Sequence, residues 1–214
     1  MGEVQKFIED GGPFMYVILL VSVVGLAISI ERFFFLFFRF NINAEAFMTQ
    51  VQKLVMANNI DRAIKLCNAA GNASLPKVVK AGLTRANKGE VEIANAIEEA
   101  TLEVLPNLTK RTDALPQVAQ TATYLGLLGT IFGMIAAFDA VAHAAPEKKS
   151  EMLASSISIA MNTTGLGLIV AIPIQVIFVI LSGMTRKIIQ EIDQYSVKLE
   201  NLLVSRGKGT TAEK

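Results

Sequence analysis

The tripeptide Asn-Thr-Thr at 162–164 lies within an apolar segment, 152–185, that contains no charged residue. A second segment of the same kind carries Thr123 and Thr130. Polar groups in hydrocarbon are costly unless they find hydrogen-bond partners or water. Hydroxyl and amide groups in this setting either bond a neighbouring helix or line a polar path that holds water. These residues are therefore the first candidates for a functional site.

Proton transfer along such a path needs a group that titrates, and threonine does not. Between residues 114 and 138, and again between 152 and 185, the sequence has no Asp, Glu, His, Lys or Arg. Asp139 follows the first of these ranges and is a candidate outer proton entrance, although a plain helix-end carboxylate fits it equally well. A pore made only of this chain could hold water but would have no central proton acceptor.

Small residues form a stripe in the second apolar segment, at alternating spacings of three and four. The stripe consists of Ala119, Ala122, Gly126, Gly129, Gly133, Ala136 and Ala140. In the third segment, Gly165 and Gly167 stand beside the polar tripeptide. Such residues let membrane helices approach closely where lipid offers no hydrophobic drive for association. We therefore predict close helix packing along both sets.

The polar residues of the third segment cannot all serve one neighbour. At about 100° per residue, Asn162 and Thr164 point nearly opposite ways on a helix. We predict that Asn162 bonds a neighbouring helix and that Thr164, with Thr130 and Thr163, lines a pore. The simpler alternative is that each threonine hydroxyl bonds a carbonyl of its own helix and has no further role.

Composition places these segments in a membrane protein. Of the 214 residues, 52% are hydrophobic and 18% are charged, with a mean hydropathy of +0.45. Three apolar segments are long enough to cross a lipid bilayer, which takes about 20 residues as a helix. A net charge of +1 gives no electrostatic case for nucleic acid as a partner. One cysteine, one histidine and the lack of catalytic motifs lead us to expect no enzyme activity, catalytic residue, cofactor or metal site.

Lysine and arginine set the predicted topology, because they concentrate on the cytoplasmic side of membrane proteins. Ten of them lie in 39–111 and six follow Thr185. The predicted divisions are an outer leader (1–12), span one (13–38), a cytoplasmic helical loop (39–115), span two (116–142), an outer turn (143–151), span three (152–184) and a cytoplasmic tail (185–214). The expected fold is an all-α integral membrane protein with three transmembrane helices and long cytoplasmic helical extensions.

The loop between spans one and two has the apolar spacing of soluble helices. Gly71 is a predicted helix end, and Pro76 is predicted near a helix start. From Glu90 onward we predict one helical run toward span two, kinked at Pro106 and Pro116.

Two stretches, YLGLLGTIFGMIAAF at 124–138 and AMNTTGLGLIVAIP at 160–173, closely resemble the signature helices of the MotA/TolQ/ExbB proton-channel family. The stretches ERFFFL and AIKLCNAAG are also similar to that family, so the likeness covers the whole chain. Three spans with the amino terminus outside resemble the ExbB/TolQ branch more than the four-span flagellar stators.

The resemblance implies an oligomeric ring, a homopentamer, around a pore holding the single spans of two ExbD/TolR-like partner chains. Those partners would supply the proton-carrying aspartate, and proton flow across the bacterial inner membrane would drive work at the cell envelope. The family's pore threonines match Thr130 and Thr164, and its late proline matches Pro173. The chain departs from the family at Ile159, usually glutamate, and at Thr123, often proline. The missing glutamate points to a divergent branch, such as a gliding-motility motor or another specialised motor.

Two other hypotheses compete with the motor. In a non-conducting membrane scaffold, the small-residue faces would only assemble partner helices, and the threonine hydroxyls would be dispensable. A solute permease would need a charged or aromatic substrate site, which the sequence does not offer.

Overall fold

The computed structural model describes residues 12–36, 42–71 and 73–212, with side chains described as far as Arg206. Most of these residues are helical and none lies in a strand, which confirms the all-α fold class. The helices are α1 (Pro13–Phe34), α2 (Ala44–Met56), α3 (Ile60–Ala69), α4 (Ser74–Thr84), α5 (Glu90–Thr109), α6 (Leu115–His143) and α7 (Lys149–Ala212), with short 3₁₀ turns at Thr112–Ala114 and Pro146–Lys148. Most of the predicted leader, the end of predicted span one and the last two residues lie outside the described part.

Three stretches are long and apolar enough to cross a membrane. They are Pro13–Phe34, Thr112–His143 and Pro146–Arg206, whose best windows have mean hydropathies of 2.4, 1.9 and 2.5. The prediction of three membrane-spanning helices is thereby confirmed, while the predicted bounds of the spans stay a prediction. Helix α7 has 64 residues and is about 96 Å long at 1.5 Å per residue. Because hydrocarbon is only about 30 Å thick, most of this helix must extend beyond the membrane.

The first of two compact units comprises residues up to 31 together with 111–180, and so contains most of α1, α6 and the first half of α7. Helix α1 packs on the other two. A Cβ added to Gly25 would lie 3.1 Å from Val118 and would also overlap the Ile174 side chain. The rings of Phe14 and Phe132 stack with centroids 5.4 Å apart. Helix α1 thus covers one side of the α6–α7 pair.

The second unit comprises residues 32–110 and those from 181 onward, with α2 to α5 and the later part of α7. Its helices bury an apolar core. A Cβ added to Gly82 would lie 2.9 Å from Ile97 and 3.1 Å from Leu199. Cys67 is also buried, and burial raises the pKa of its thiol to about 11. The lone cysteine is therefore an inert core residue rather than a reactive thiol.

Local signals placed the ends of the shorter helices well. Gly71 follows α3 with a φ of +68°, the left-handed conformation that glycine adopts without strain. Pro76 is the third residue of α4, as predicted. Asn43 caps α2, since its Oδ1 accepts a hydrogen bond from the Ala46 N–H at 3.0 Å.

The prediction of one kinked helix from Glu90 into span two is wrong. Helix α5 continues through Pro106 to Thr109, and the chain then breaks at Arg111, whose φ is +64°. A new helix begins at Leu115, with Pro116 in its first turn. Proline is tolerated there because the N–H that it lacks would have no partner within the helix. Pro116 therefore helps to start a helix rather than to kink one.

Candidate functional site

Two threonine hydroxyls meet between α6 and α7. The Oγ1 atoms of Thr130 and Thr164 are in direct hydrogen-bonding contact. Thr164 Oγ1 also lies 3.0 Å from the Gly126 carbonyl oxygen. Thr130 Oγ1 lies 3.2 Å from the carbonyl oxygens of both Gly126 and Ala160. The tertiary structure thus joins two residues that sequence spacing and family resemblance had picked out separately.

Each hydroxyl of this pair has more acceptors than it can use at once. A threonine hydroxyl carries one hydrogen and two lone pairs. Thr130 has three acceptors within reach and Thr164 has two, so the hydrogens can be distributed in more than one way. Both threonines are half-buried. Such a pair can accept a hydrogen bond from an approaching acid, donate one to its anion, or orient water.

Thr163 occupies a different environment from Thr164. Its side chain is 2% exposed, and its Oγ1 donates to the Ala160 carbonyl at 2.7 Å. A Cβ added to Gly129 would lie 2.7 Å from the Thr163 Oγ1 atom. Thr163 is therefore packed into α6 by its own chain. The enclosed hydroxyl favours helix packing for Thr163, and its predicted role in lining a pore stays a prediction.

The glycines of the two helices permit backbone contact. A Cβ added to Gly133 would lie 2.7 Å from the Ala160 Cβ. One added to Gly167 would lie 2.7 Å from the Ala122 carbonyl oxygen, and Gly126 is similarly enclosed. The neighbour that the small residues contact is α7 of the same chain. The glycine stripe thus holds the two helices, and with them the hydroxyl pair, at close range.

The stripe leaves the predicted register at one end. Ala136 is exposed, whereas its neighbour Ala137 is 1% exposed and faces the interior. The spacing of three and four averages 3.5 residues, whereas a helix turn takes 3.6, so a straight stripe drifts around the helix. The contact face therefore moves by one residue beyond Gly133.

Three residues predicted to pack show no contact of the predicted kind among the described residues. A Cβ added to Gly165 would meet nothing within 4 Å. Pro173 is exposed within α7, and the half-buried Asn162 side chain has no hydrogen bond among the described residues. Packing of these three residues therefore stays a prediction about contacts with another chain.

Asp139 lies near the end of α6, away from the hydroxyl pair in sequence. Its side chain is exposed, with an oxygen 4.0 Å from His143 Nδ1. The same nitrogen lies 2.9 Å from the Asp139 carbonyl oxygen. The two residues form a local pair one helical turn apart, and a role for Asp139 at a proton entrance stays a prediction.

Sequence reasoning missed a groove between α6 and α7. It has a volume of about 370 Å³ and lies between α6 and α7, lined by Gln120 and Thr123 on one helix and Gln175 on the other. The apolar side chains of Leu168 and Ile172 complete its α7 wall. An available signal was the presence of glutamines inside uncharged apolar segments, but only the fold brings them together.

The helices and the site define a class, an integral membrane protein with a polar hydroxyl site between two closely packed transmembrane helices. Residues 70–194, more than half of the chain, match the model of the MotA/TolQ/ExbB proton channel family. The chain belongs to this family, and its relatives show it to be ExbB-like. The matched region includes both signature helices and the Thr130–Thr164 contact.

Several relatives carry ExbB names. An ExbB homolog of Methanothermobacter thermautotrophicus, named for biopolymer transport, is 25% identical over 194 residues, which cover 90% of this chain and 67% of that protein. The biopolymer transport protein ExbB of Aquifex aeolicus is 34% identical over 87 residues, 41% of this chain and 57% of that protein. An ExbB-like protein of Synechocystis is 28% identical over 165 residues, 76% of this chain and 77% of that protein.

Proposed function

We propose that this chain is the channel-forming subunit of a proton-driven ExbB/TolQ-type motor in a bacterial inner membrane. The proposed assembly is a homopentamer around two single-span ExbD/TolR-like chains. The amino terminus faces the periplasm, and the large loop and the carboxyl terminus face the cytoplasm. Proton motive force is converted into work at the cell envelope, such as energised transport, envelope maintenance or motility.

The observation that carries this proposal is the contact between Thr130 and Thr164. Both threonines are half-buried, and neither hydroxyl titrates near neutral pH. No Asp, Glu, His, Lys or Arg lies in α6 between residues 115 and 138 or in α7 between 152 and 185. A proton-carrying acid must therefore come from the partner, and the hydroxyl pair is built to receive it.

The hydroxyl pair serves a partner carboxyl group in both of its protonation states. When the acid is protonated, a threonine oxygen accepts its hydrogen bond, and the threonine hydrogen turns to the Gly126 or Ala160 carbonyl. When the acid is ionised, a threonine hydroxyl turns to donate to it, and a bond to a charged group is the stronger kind. Because each hydrogen has an alternative acceptor, neither state leaves a threonine hydrogen unpaired in a dry site.

The test compares Thr164→Val and Thr130→Val with a matched threonine elsewhere on α6. Thr121 is exposed and donates only to its own helix, to the Gln117 carbonyl at 2.7 Å. Each variant is reconstituted with the partner in liposomes, and proton flux is measured. We expect flux to be lost in the two site variants and kept in Thr121→Val. Full flux in both site variants would overturn the proposal.

The same assay addresses the non-conducting scaffold. That alternative is favoured by the bond from Thr130 to the carbonyl four residues earlier, which a purely structural threonine would also make. A scaffold would assemble partner helices without any hydroxyl-dependent flux. We also expect this chain without its partner to form an oligomer but to conduct few protons, since it lacks the central acid.

A further inference from the structure

Helix α5 presents an acidic face on the outside of the second compact unit. The helix carries five glutamates and no lysine or arginine. Its Ile97 side chain packs against α4 at Gly82. At about 100° per residue, Glu99 and Leu102 point about 160° and 140° away from Ile97, so they face away from α4. The acidic face consists of four exposed residues, Glu92, Glu99, Leu102 and Glu103.

Helix α4 presents lysines on the opposite side of this helix pair. Gly82 is an α4 residue that faces α5, since a Cβ added there would lie 2.9 Å from Ile97. Lys80 and Lys77 point about 160° and 140° away from Gly82, so they face away from α5. Helix α3 packs against α4 and adds two more exposed cations. The basic face consists of Arg62 and Lys65 on α3 and Lys77 and Lys80 on α4.

Most charges of the two faces have no opposite charge beside them in the second unit. Glu99 and Glu103 form no ion pair among the described residues, and the same is true of the four cations of the basic face. Glu92 lies 3.9 Å from Arg85, but both side chains are 55% exposed, and exposed pairs contribute little. Glu99 and Glu103 are four residues apart, a spacing at which like charges destabilise a helix. An opposite charge brought by another molecule would relieve this repulsion.

We propose that the acidic face of one copy of this chain docks on the basic face of the next copy. This inference rests on the proposed function, because it supplies the subunit contact of the proposed homopentamer. A closed ring of more than two identical subunits needs an interface in which two different surfaces of each subunit meet. Two faces of opposite charge that point away from each other satisfy this requirement, whereas either face would repel its own copy. Leu102, which is 63% exposed, adds apolar area that docking removes from water.

Cross-linking tests which faces meet in the assembled protein with its partner. The starting variant is Cys67→Ala, which removes the native buried thiol. Leu102→Cys marks the acidic face, and Thr84→Cys marks an exposed position one turn after Lys80. A short bis-maleimide should give a ladder of covalent multimers from the chain that carries both cysteines, and only monomers from either single variant. Absence of the ladder, or equal linking by the single variants, would overturn the inference.

Charge reversal gives a second measurement. Glu99→Lys combined with Glu103→Lys should raise the concentration at which half of the oligomer dissociates by about tenfold, measured by sedimentation in detergent at low salt. Lys77→Glu and Lys80→Glu, added to that chain, should restore assembly to within about threefold of the wild type, because the attraction returns with its signs exchanged. A reversed chain that assembles normally, or that the second pair does not rescue, would overturn the inference.

A control variant and the flux assay separate this inference from other effects. Glu45→Lys combined with Asp193→Lys makes the same change of net charge at exposed carboxylates outside both faces, and should leave assembly unchanged. If the ladder is absent while proton flux still needs Thr164, the docking inference fails and the proposed function stands. If the ladder forms while Thr164→Val and Thr130→Val conduct normally, the docking stands and the proposed function fails.

Discussion

The Thr163 hydroxyl lies directly against Gly129, so close that a Cβ on the glycine would come within 2.7 Å of the hydroxyl oxygen. One residue further along α7, Thr164 instead contacts Thr130. Two adjacent threonines therefore make different contacts on α6, because successive residues of a helix point about 100° apart. The first fixes the spacing between α6 and α7, and the second uses that spacing to meet its counterpart.

Gly129→Ala should destabilise the chain, because the new methyl group must displace Thr163 or move the two helices apart. Overpacking of this kind costs about 1–3 kcal/mol. Gly183→Ala is the matched control in α7, since its Cβ would meet nothing within 4 Å. Thermal unfolding in detergent should show a lower midpoint for the first variant only. Equal midpoints would contradict the close contact.

Gly133→Leu and Gly129→Leu should destabilise the protein more than Gly129→Ala does. The loss of stability should be seen in the single, unassembled subunit. The small residues pack on α7 of the same protein, so a leucine separates two helices of one subunit. We expect loss of the folded monomer as well as of the oligomer, measured by limited proteolysis and native mass spectrometry. A variant that stays folded but fails only to assemble would show that the stripe serves subunit contacts instead.

Thr163→Val and Thr164→Val should separate stability from conduction. Thr163→Val removes a buried bond to the Ala160 carbonyl and should cost about 0.5–1.5 kcal/mol of unfolding free energy while leaving partner-dependent flux intact. Thr164→Val should have the opposite effects, with flux lost and stability little changed. Unfolding midpoints and liposome flux are measured on both variants, and a reversed pattern would refute this division.

Asn162→Leu should weaken assembly. The side chain is half-buried without a hydrogen bond among the described residues, and interhelical polar bonds in membranes are worth about 0.6–2 kcal/mol. Met161→Leu is the neighbouring control at an exposed position. Native mass spectrometry across a dilution series should show earlier dissociation for Asn162→Leu alone. Identical dissociation curves would leave Asn162 without a role between subunits.

Cys67 should make stability depend on pH in the alkaline range. Burial raises the pKa of its thiol from 9.0 to about 11, so the folded state disfavours the thiolate. The resulting stabilisation is complete below pH 9 and is lost as pH rises toward 11, because only the unfolded chain releases the proton readily. The free energy of unfolding of the wild type should fall more steeply between pH 9 and pH 11 than that of Cys67→Ala. Parallel curves would contradict the raised pKa.

Much of the architecture follows from local pattern. Hydropathy and length identified the three membrane helices, and Gly71 and Pro76 marked helix ends because their backbone preferences act within a few residues. The break at Arg111 did not follow in this way. A left-handed backbone conformation is uncommon for arginine, so the residue type at position 111 does not predict the break.

The candidate site also has features that the sequence predicts and features that only the tertiary structure shows. The sequence by itself determined that α6 carries a close-packing stripe and that Thr130 and Thr164 are polar residues in hydrocarbon, since spacing and residue type are enough for both conclusions. Only the tertiary structure decided that Thr163 is enclosed, that Ala137 replaces Ala136 on the contact face, and that Gln120 and Gln175 share a groove. The physical reason is that a helix sequence fixes the angles between its own residues but not its rotation about its axis. That rotation is set by packing against the neighbouring helix.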